Sequence, residues 1–146
     1  QGLLHDIQRE LMVVMSHVAT PSALRDADTE RPGSGNPNPL HAAEMTVQCE
    51  QAMDAMMLQL EDNDYFLLPG GTQISAQLQF ARAVARRAER RLWTLNREDS
   101  VPEDISRFIN RLSDLFFVMA RMEMQRQGWD EERWQAFAYK RKRKQP

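Results

Sequence analysis

The chain has one cysteine, Cys49, among 146 residues. A single thiol excludes an internal disulfide and any zinc site built from cysteines. Cys49 sits in a stretch of helical periodicity, which predicts a buried, unreactive side chain and suits a reducing compartment. No run of about 18 apolar residues occurs, so no membrane-spanning helix is expected. No leader-type segment is visible. The three histidines, His5, His17 and His41, share no ligand-like spacing with a second candidate. They are expected at the surface or at helix caps, and no residue is assigned to a resident metal. Strand-type alternation is nearly absent, and no internal repeat is found. These absences point away from secreted, membrane and zinc-dependent classes and toward a cytoplasmic helical protein.

What is present fits that class. Apolar residues make up 42% and charged residues 27% of the chain, ordinary for a globular protein. The length predicts one domain, 1–139, with a basic tail at 140–146. The run Lys140–Lys144 carries five of the 19 basic residues, so the body before it is acidic. A basic run can contact nucleic acid or an anionic membrane. The acidic body argues against nucleic acid, and a disordered, solubilising tail is expected, with no membrane partner.

Helical spacing organises the rest. Leu3, Ile7, Leu11, Val14 and Val18 form a buried stripe that ends at Thr20-Pro21. The segment 22–39 is rich in Pro, Gly, Asn and Ser and is expected to be a mobile loop. A methionine-rich helix follows from about Leu40 to Glu61, with Met45, Met53, Met56, Met57 and Leu60 on its apolar side. A third helix starts after Pro69-Gly70-Gly71, with Thr72 as N-cap. Its stripe of Ile74, Leu78, Ala81, Ala85, Ala88, Leu92 and Leu95 predicts a heptad seam with a close neighbour. In Ser100-Val101-Pro102-Glu103, Ser100 is expected to cap a fourth helix, with Ile105, Phe108, Leu112, Leu115 and Met119 inward. Trp129–Tyr139 reads as a short amphipathic piece. The fold class is all-α, an antiparallel bundle of four to five helices.

The polar residues of the third helix raise a chemical question. Arg82, Arg86 and Arg90 recur every four residues, which on a helix stacks like charges on one face. Glu89 lies three residues from Arg86 and can pair with it locally. The bland explanation is a solvated basic face. The fourth helix, however, sets Asn110, Ser113, Asp114 and Phe117 beside its own apolar seam, so two neighbours carry polar stripes next to their packing surfaces. Guanidinium groups form a permanently charged planar fork suited to phosphate oxygens. A polyphosphate lying between the helices would offset the repulsion along the ridge.

The boxes FLLPGGT, AR, RRAER and NRLSD, in this order and spacing, resemble the PduO-type ATP:cob(I)alamin adenosyltransferases. The first helix adds Ile7, Gln8, Leu11, Ala19, Thr20 and Pro21, so the resemblance covers roughly Leu3 to Arg121. It implies a cobalamin adenosyltransferase-like bundle that forms a homotrimer with active sites between subunits. It also implies ATP with Mg²⁺, and cob(I)alamin as the substrate whose cobalt attacks the 5′ carbon of ATP. The products would be adenosylcobalamin and triphosphate. Carried over, Arg86, Arg87, Ala88, Glu89 and Arg90 line the ATP site, and Arg86 neutralises the leaving triphosphate. Asn110 bonds the nucleotide and Arg82 makes an intersubunit salt bridge. Phe66 stands on the corrinoid side, where it helps displace the lower axial ligand.

The sequence departs from that pattern in places. A glycine-rich stretch of the type TKTGDKG and a DELN-containing helix do not occur in these 146 residues. Gln79 stands where a histidine is usual, and Met122-Glu123-Met124 where a tyrosine-containing segment is usual. The alternative these departures suggest is a non-catalytic helical-bundle protein that binds a corrinoid or a partner.

Overall fold

A computed structural model describes residues 2–25 and 35–134. Four long helices carry the fold: α1 (Leu3–Ala19), α3 (Ala42–Met57), α4 (Gln73–Asn96) and α5 (Glu103–Arg126). A single turn, α2 (Ser22–Arg25), follows α1. A two-residue strand β1 (Phe66–Leu67) pairs antiparallel with β2 (Arg133–Trp134). The basic tail, residues 135–139 of the C-terminal segment and the middle of the 22–39 segment lie outside the described residues.

The direction of the helices follows from their cross-links. Glu89 of α4 meets Asn110 of α5, and Arg82 lies over Phe117. A step of seven residues back along α4 is a step of seven forward along α5, so the two run antiparallel in heptad register. Glu50 of α3 meets Arg111 of α5, and Glu61, just beyond α3, meets Arg121. These pairs advance together, so α3 lies parallel to α5. Consecutive long helices still alternate in direction, and the long 58–72 connection lets α3 and α5 lie side by side.

Helix α5 is the centre of the bundle. Ile105, Phe108, Leu112 and Leu115 are buried as their spacing predicts, and Ile109, Val118 and Met124 are buried too. A helix gripped by neighbours on two sides buries more than one stripe. Helix α4 packs mainly against α5, and its seam is narrower than the periodicity predicts. Ala85 and Leu92 are buried, whereas Ile74 and Ala88 are exposed. Ala88 is left open because α4 does not close on α1. An apolar groove of about 430 Å³ separates them, lined by Leu11, Val14, Met15 and Val18 on one wall and Ala88, Leu92 and Leu95 on the other.

Cys49 is fully buried, as expected. Burial, with a smaller contribution from the Glu50 carboxylate, pushes its thiol up to about 11. It therefore stays protonated and weakly nucleophilic at neutral pH. Met45 and Met53 join the core, while Met57 points to solvent.

Several local expectations are corrected. Glu10, a charged residue on α1 outside its apolar stripe, is nonetheless only 6% exposed, and its carboxylate accepts the His41 N–H at 2.8 Å. His17, expected at the surface or a cap, is 8% exposed, with Nε2 2.8 Å from the Asn38 carbonyl. Both bring the segment after the loop back onto α1, a role no single-helix pattern reveals. The described parts of the 22–39 segment are anchored. The Ser22 N–H donates to Asp99, and Arg25 donates to the carbonyls of His17, Thr20 and Ser100. The Ser22 hydrogen bonds hold the Asp99 carboxyl below the usual carboxylate range. Ser100 is not the cap of α5: Pro102 holds the N-cap position, without a side-chain cap bond. The α3 helix ends at Met57 rather than near Glu61. The stretch 129–134 is no helix but leads into β2, because Gly128 at φ +67° turns the chain away from α5.

Candidate functional site

The site begins with the turn before α4. Gly70 and Gly71 take φ of +129° and +85°, values that favour glycine. Thr72 is the N-cap, as predicted, and its hydroxyl accepts the Ser75 N–H at 3.1 Å. A Cβ on Gly71 would run into the buried Met124 side chain. Gly71→Ala is therefore expected to destabilise the fold by about 1–2 kcal/mol, mostly from the left-handed backbone. A denaturant titration checks it.

From that start α4 projects Arg82, Arg86 and Arg90 along one face, while Arg87 lies about a quarter-turn off that face and Arg91 lines the α1–α4 groove. The Arg82 guanidinium is half-buried and lies 5.2 Å from the centre of the Phe117 ring, a cation–π distance. Arg86, Arg87 and Arg90 are exposed, and among the described residues none of them forms an ion pair. The expected Arg86–Glu89 pairing is not formed. Glu89 is half-buried and accepts instead from Asn110 Nδ2 at 2.8 Å. Ala88 is exposed on the side of the α1–α4 groove, away from Glu89.

The NRLSD box divides its work by helical angle. Asn110 reaches α4 through Glu89. Arg111, which sequence reasoning did not single out, reaches α3 through Glu50 at 2.8 Å and holds Asp114 at 3.2 Å. Ser113 turns inward, and its hydroxyl donates to the Asn110 carbonyl at 2.8 Å. Along the α3–α5 side runs a cleft of about 440 Å³ that includes Glu50, Asp54, Asp114 and Phe117. The face thus has carboxylates on the α3 side and, on the α4 side, guanidiniums in no ion pair among the described residues. The Arg111–Asp114 spacing of three was the available signal for Arg111. Phe66, in β1, is 73% exposed and belongs to the ladder beside the glycine turn rather than to the Arg86–Asn110 group.

This arrangement defines the class of protein first: a helical bundle with an exposed arginine ridge on α4 beside its packed seam, chemically suited to a polyanion. Comparison with known proteins gives the family. The cobalamin adenosyltransferase family model matches residues 1–123, and the chain belongs to that family. It is 36% identical over 122 residues to the corrinoid adenosyltransferase PduO of Salmonella typhimurium, covering 83% of this chain and 33% of that one. It is 36% identical over 130 residues to the human corrinoid adenosyltransferase MMAB, covering 88% of this chain and 49% of that one. The chain thus spans between a third and a half of the length of these curated relatives. A solved structure of a variant PduO-type ATP:corrinoid adenosyltransferase from Lactobacillus reuteri, complexed with cobalamin and ATP, matches with a TM-score of 0.78 at 33% identity. That match covers 90% of this chain and 68% of that one.

Proposed function

We propose that this protein transfers the 5′-deoxyadenosyl group from ATP to the Co(I) of a reduced corrinoid. The cobalt lone pair forms the Co–C5′ bond, the C5′–O bond breaks, and triphosphate leaves with the electron pair. The observation that carries this reading is the two exposed guanidiniums, Arg86 and Arg90, which form no ion pair among the described residues and flank the Glu89–Asn110 pair, in a chain of this family. Negative charge grows on the triphosphate as the bond breaks, and fixed cations there stabilise the transition state more than the ground state. Asn110, held by Glu89, is placed to bond the nucleotide.

Among the described residues no group of three or more His, Cys, Asp or Glu could hold a metal ion. A Mg²⁺ would come on the triphosphate oxygens, a mode needing one or two protein carboxylates. Glu89 fits that need, because Asn110 engages only its Oε1. The ion would neutralise phosphate charge. Phe66 belongs on the corrinoid side. Arg82, whose guanidinium lies over the Phe117 ring, is assigned an intersubunit salt bridge in a homotrimer. Among the described residues no helix is long and apolar enough to cross a membrane. We place the reaction in a reducing compartment, the cytoplasm, with which a single free cysteine is compatible.

The test incubates the full-length polypeptide with ATP, Mg²⁺ and chemically reduced cobalamin. The adenosylcobalamin spectrum is expected to develop with time. Its absence overturns the transferase and leaves a binding protein.

A further inference from the structure

The short ladder that presents Phe66 should not stand by itself, since an isolated two-stranded pair is marginal in water. Among the described residues only Phe66–Trp134 and Leu67–Arg133 are in register, with Leu68 N–H donating to the Glu132 carbonyl at 2.8 Å. The Arg133 guanidinium lies 4.8 Å from the centre of the Tyr65 ring. The stronger contact lies beneath. The Arg121 side chain on α5 is only 12% exposed. Its Nε and Nη2 donate to the two carboxylate oxygens of Glu131 at 2.8 and 3.1 Å, and Nη2 also donates to the Glu61 carbonyl at 2.9 Å.

The placement of those two partners is what matters. Glu131 lies two residues before β2, and Glu61 opens the segment that leads into β1. One guanidinium therefore grips the approach to both strands. A two-point, half-enclosed arginine–carboxylate pair is stronger than an exposed one such as Arg107–Glu103. Below the ladder, Leu67, Leu68 and Gly70 close onto Ser75, Gln79 and Met124, leaving about 10 Å³. That volume admits no ligand larger than a water. The ladder is thus seated on α4 and α5, with Phe66 turned outward.

We infer that Arg121 is a positioning residue. Through Glu131 and the Glu61 carbonyl it clamps the β1–β2 ladder onto the α4–α5 pair, and so fixes Phe66 against the corrinoid. The clamp is read from the geometry, while its consequence for the corrinoid rests on the proposed function. Glu131→Ala releases β2 and leaves Arg121 on the Glu61 carbonyl. Arg121→Ala releases both strands, and Arg121→Lys keeps the charge with fewer contacts.

The experiment pairs amide hydrogen exchange with steady-state kinetics on the same full-length preparations, varying reduced cobalamin and ATP separately. In Arg121→Ala the Leu68 amide is expected to exchange roughly tenfold faster or more, while central α5 amides stay protected. The KM for cobalamin is expected to rise about tenfold, with the KM for ATP unchanged. Arg121→Lys is expected to restore part of both effects. Unchanged Leu68 exchange in both alanine variants overturns the clamp. Faster exchange with an unchanged cobalamin KM, or an equal rise in both KM values, overturns the positioning role. A wild-type protein with no turnover overturns the transferase reading and the corrinoid consequence together, and the exchange data then decide the clamp alone.

Discussion

Arg86→Ala is expected to lower kcat by about a hundredfold or more, the order seen when one preorganised charge-stabilising donor is removed. Arg86 is solvent-exposed and, among the described residues, in no ion pair. Its removal leaves no cavity and no orphaned partner, so the fold should keep its helical content and melting temperature. Removing a cation from a row of like charges relieves repulsion of a few tenths of a kcal/mol. Stability should hold or rise slightly while turnover collapses. Arg86→Lys keeps the charge but loses the planar fork and should fall between the two. The measurement is kcat and the two KM values, with a thermal melt of each variant. A near-normal kcat for the alanine variant removes Arg86 from the leaving-group role, and a collapsed melt shows that the residue is structural.

The second large effect concerns the core. Phe108 has no exposed surface and lies among the buried residues where α5 meets its neighbours. Phe108→Ala is expected to cost about 3–5 kcal/mol, the transfer term plus the cavity that close-packed neighbours cannot fill. For a domain of this size that lowers the melting temperature by on the order of 10 °C. Ligand binding should suffer only through the unfolded fraction. A melt displaced by less than about 2 °C would mean that the α5 neighbourhood collapses into the space and is less tightly packed than its burial indicates. The two variants form a contrast: one loses chemistry and keeps the fold, the other loses the fold first.

The local features were legible because their causes are local. A side chain's face on a helix follows from its spacing, so the inward residues of α1 and α5 were readable. Thr72 and the two glycines before it announced the start of α4, because a cap hydroxyl and a positive φ are properties of one or two residues. The boxes ARAVARRAER and NRLSD were visible as polar stripes beside apolar ones. What failed to show was set by neighbours distant in sequence. Glu10 and His17 look like surface residues on α1 until the 35–41 segment returns over them. Trp129–Trp134 has an amphipathic composition, yet becomes extended once Gly128 breaks the helix and Leu68 offers it an edge.

The sequence by itself determined that the protein is a helical bundle, which faces of its helices turn inward, and that α4 carries an arginine ridge. Periodicity, capping and charge spacing act within a few residues, so they can be read in one dimension. Only the tertiary structure decided what that ridge faces. Glu89 prefers Asn110, 21 residues away, to Arg86 three residues away. Arg82 settles on Phe117. Arg121 reaches back 60 residues to hold the Glu61 carbonyl, at the start of the segment that leads into the strand bearing Phe66. These pairings depend on the register of one helix against another, fixed by how the buried side chains of α3, α4 and α5 interlock. No single helix contains that register.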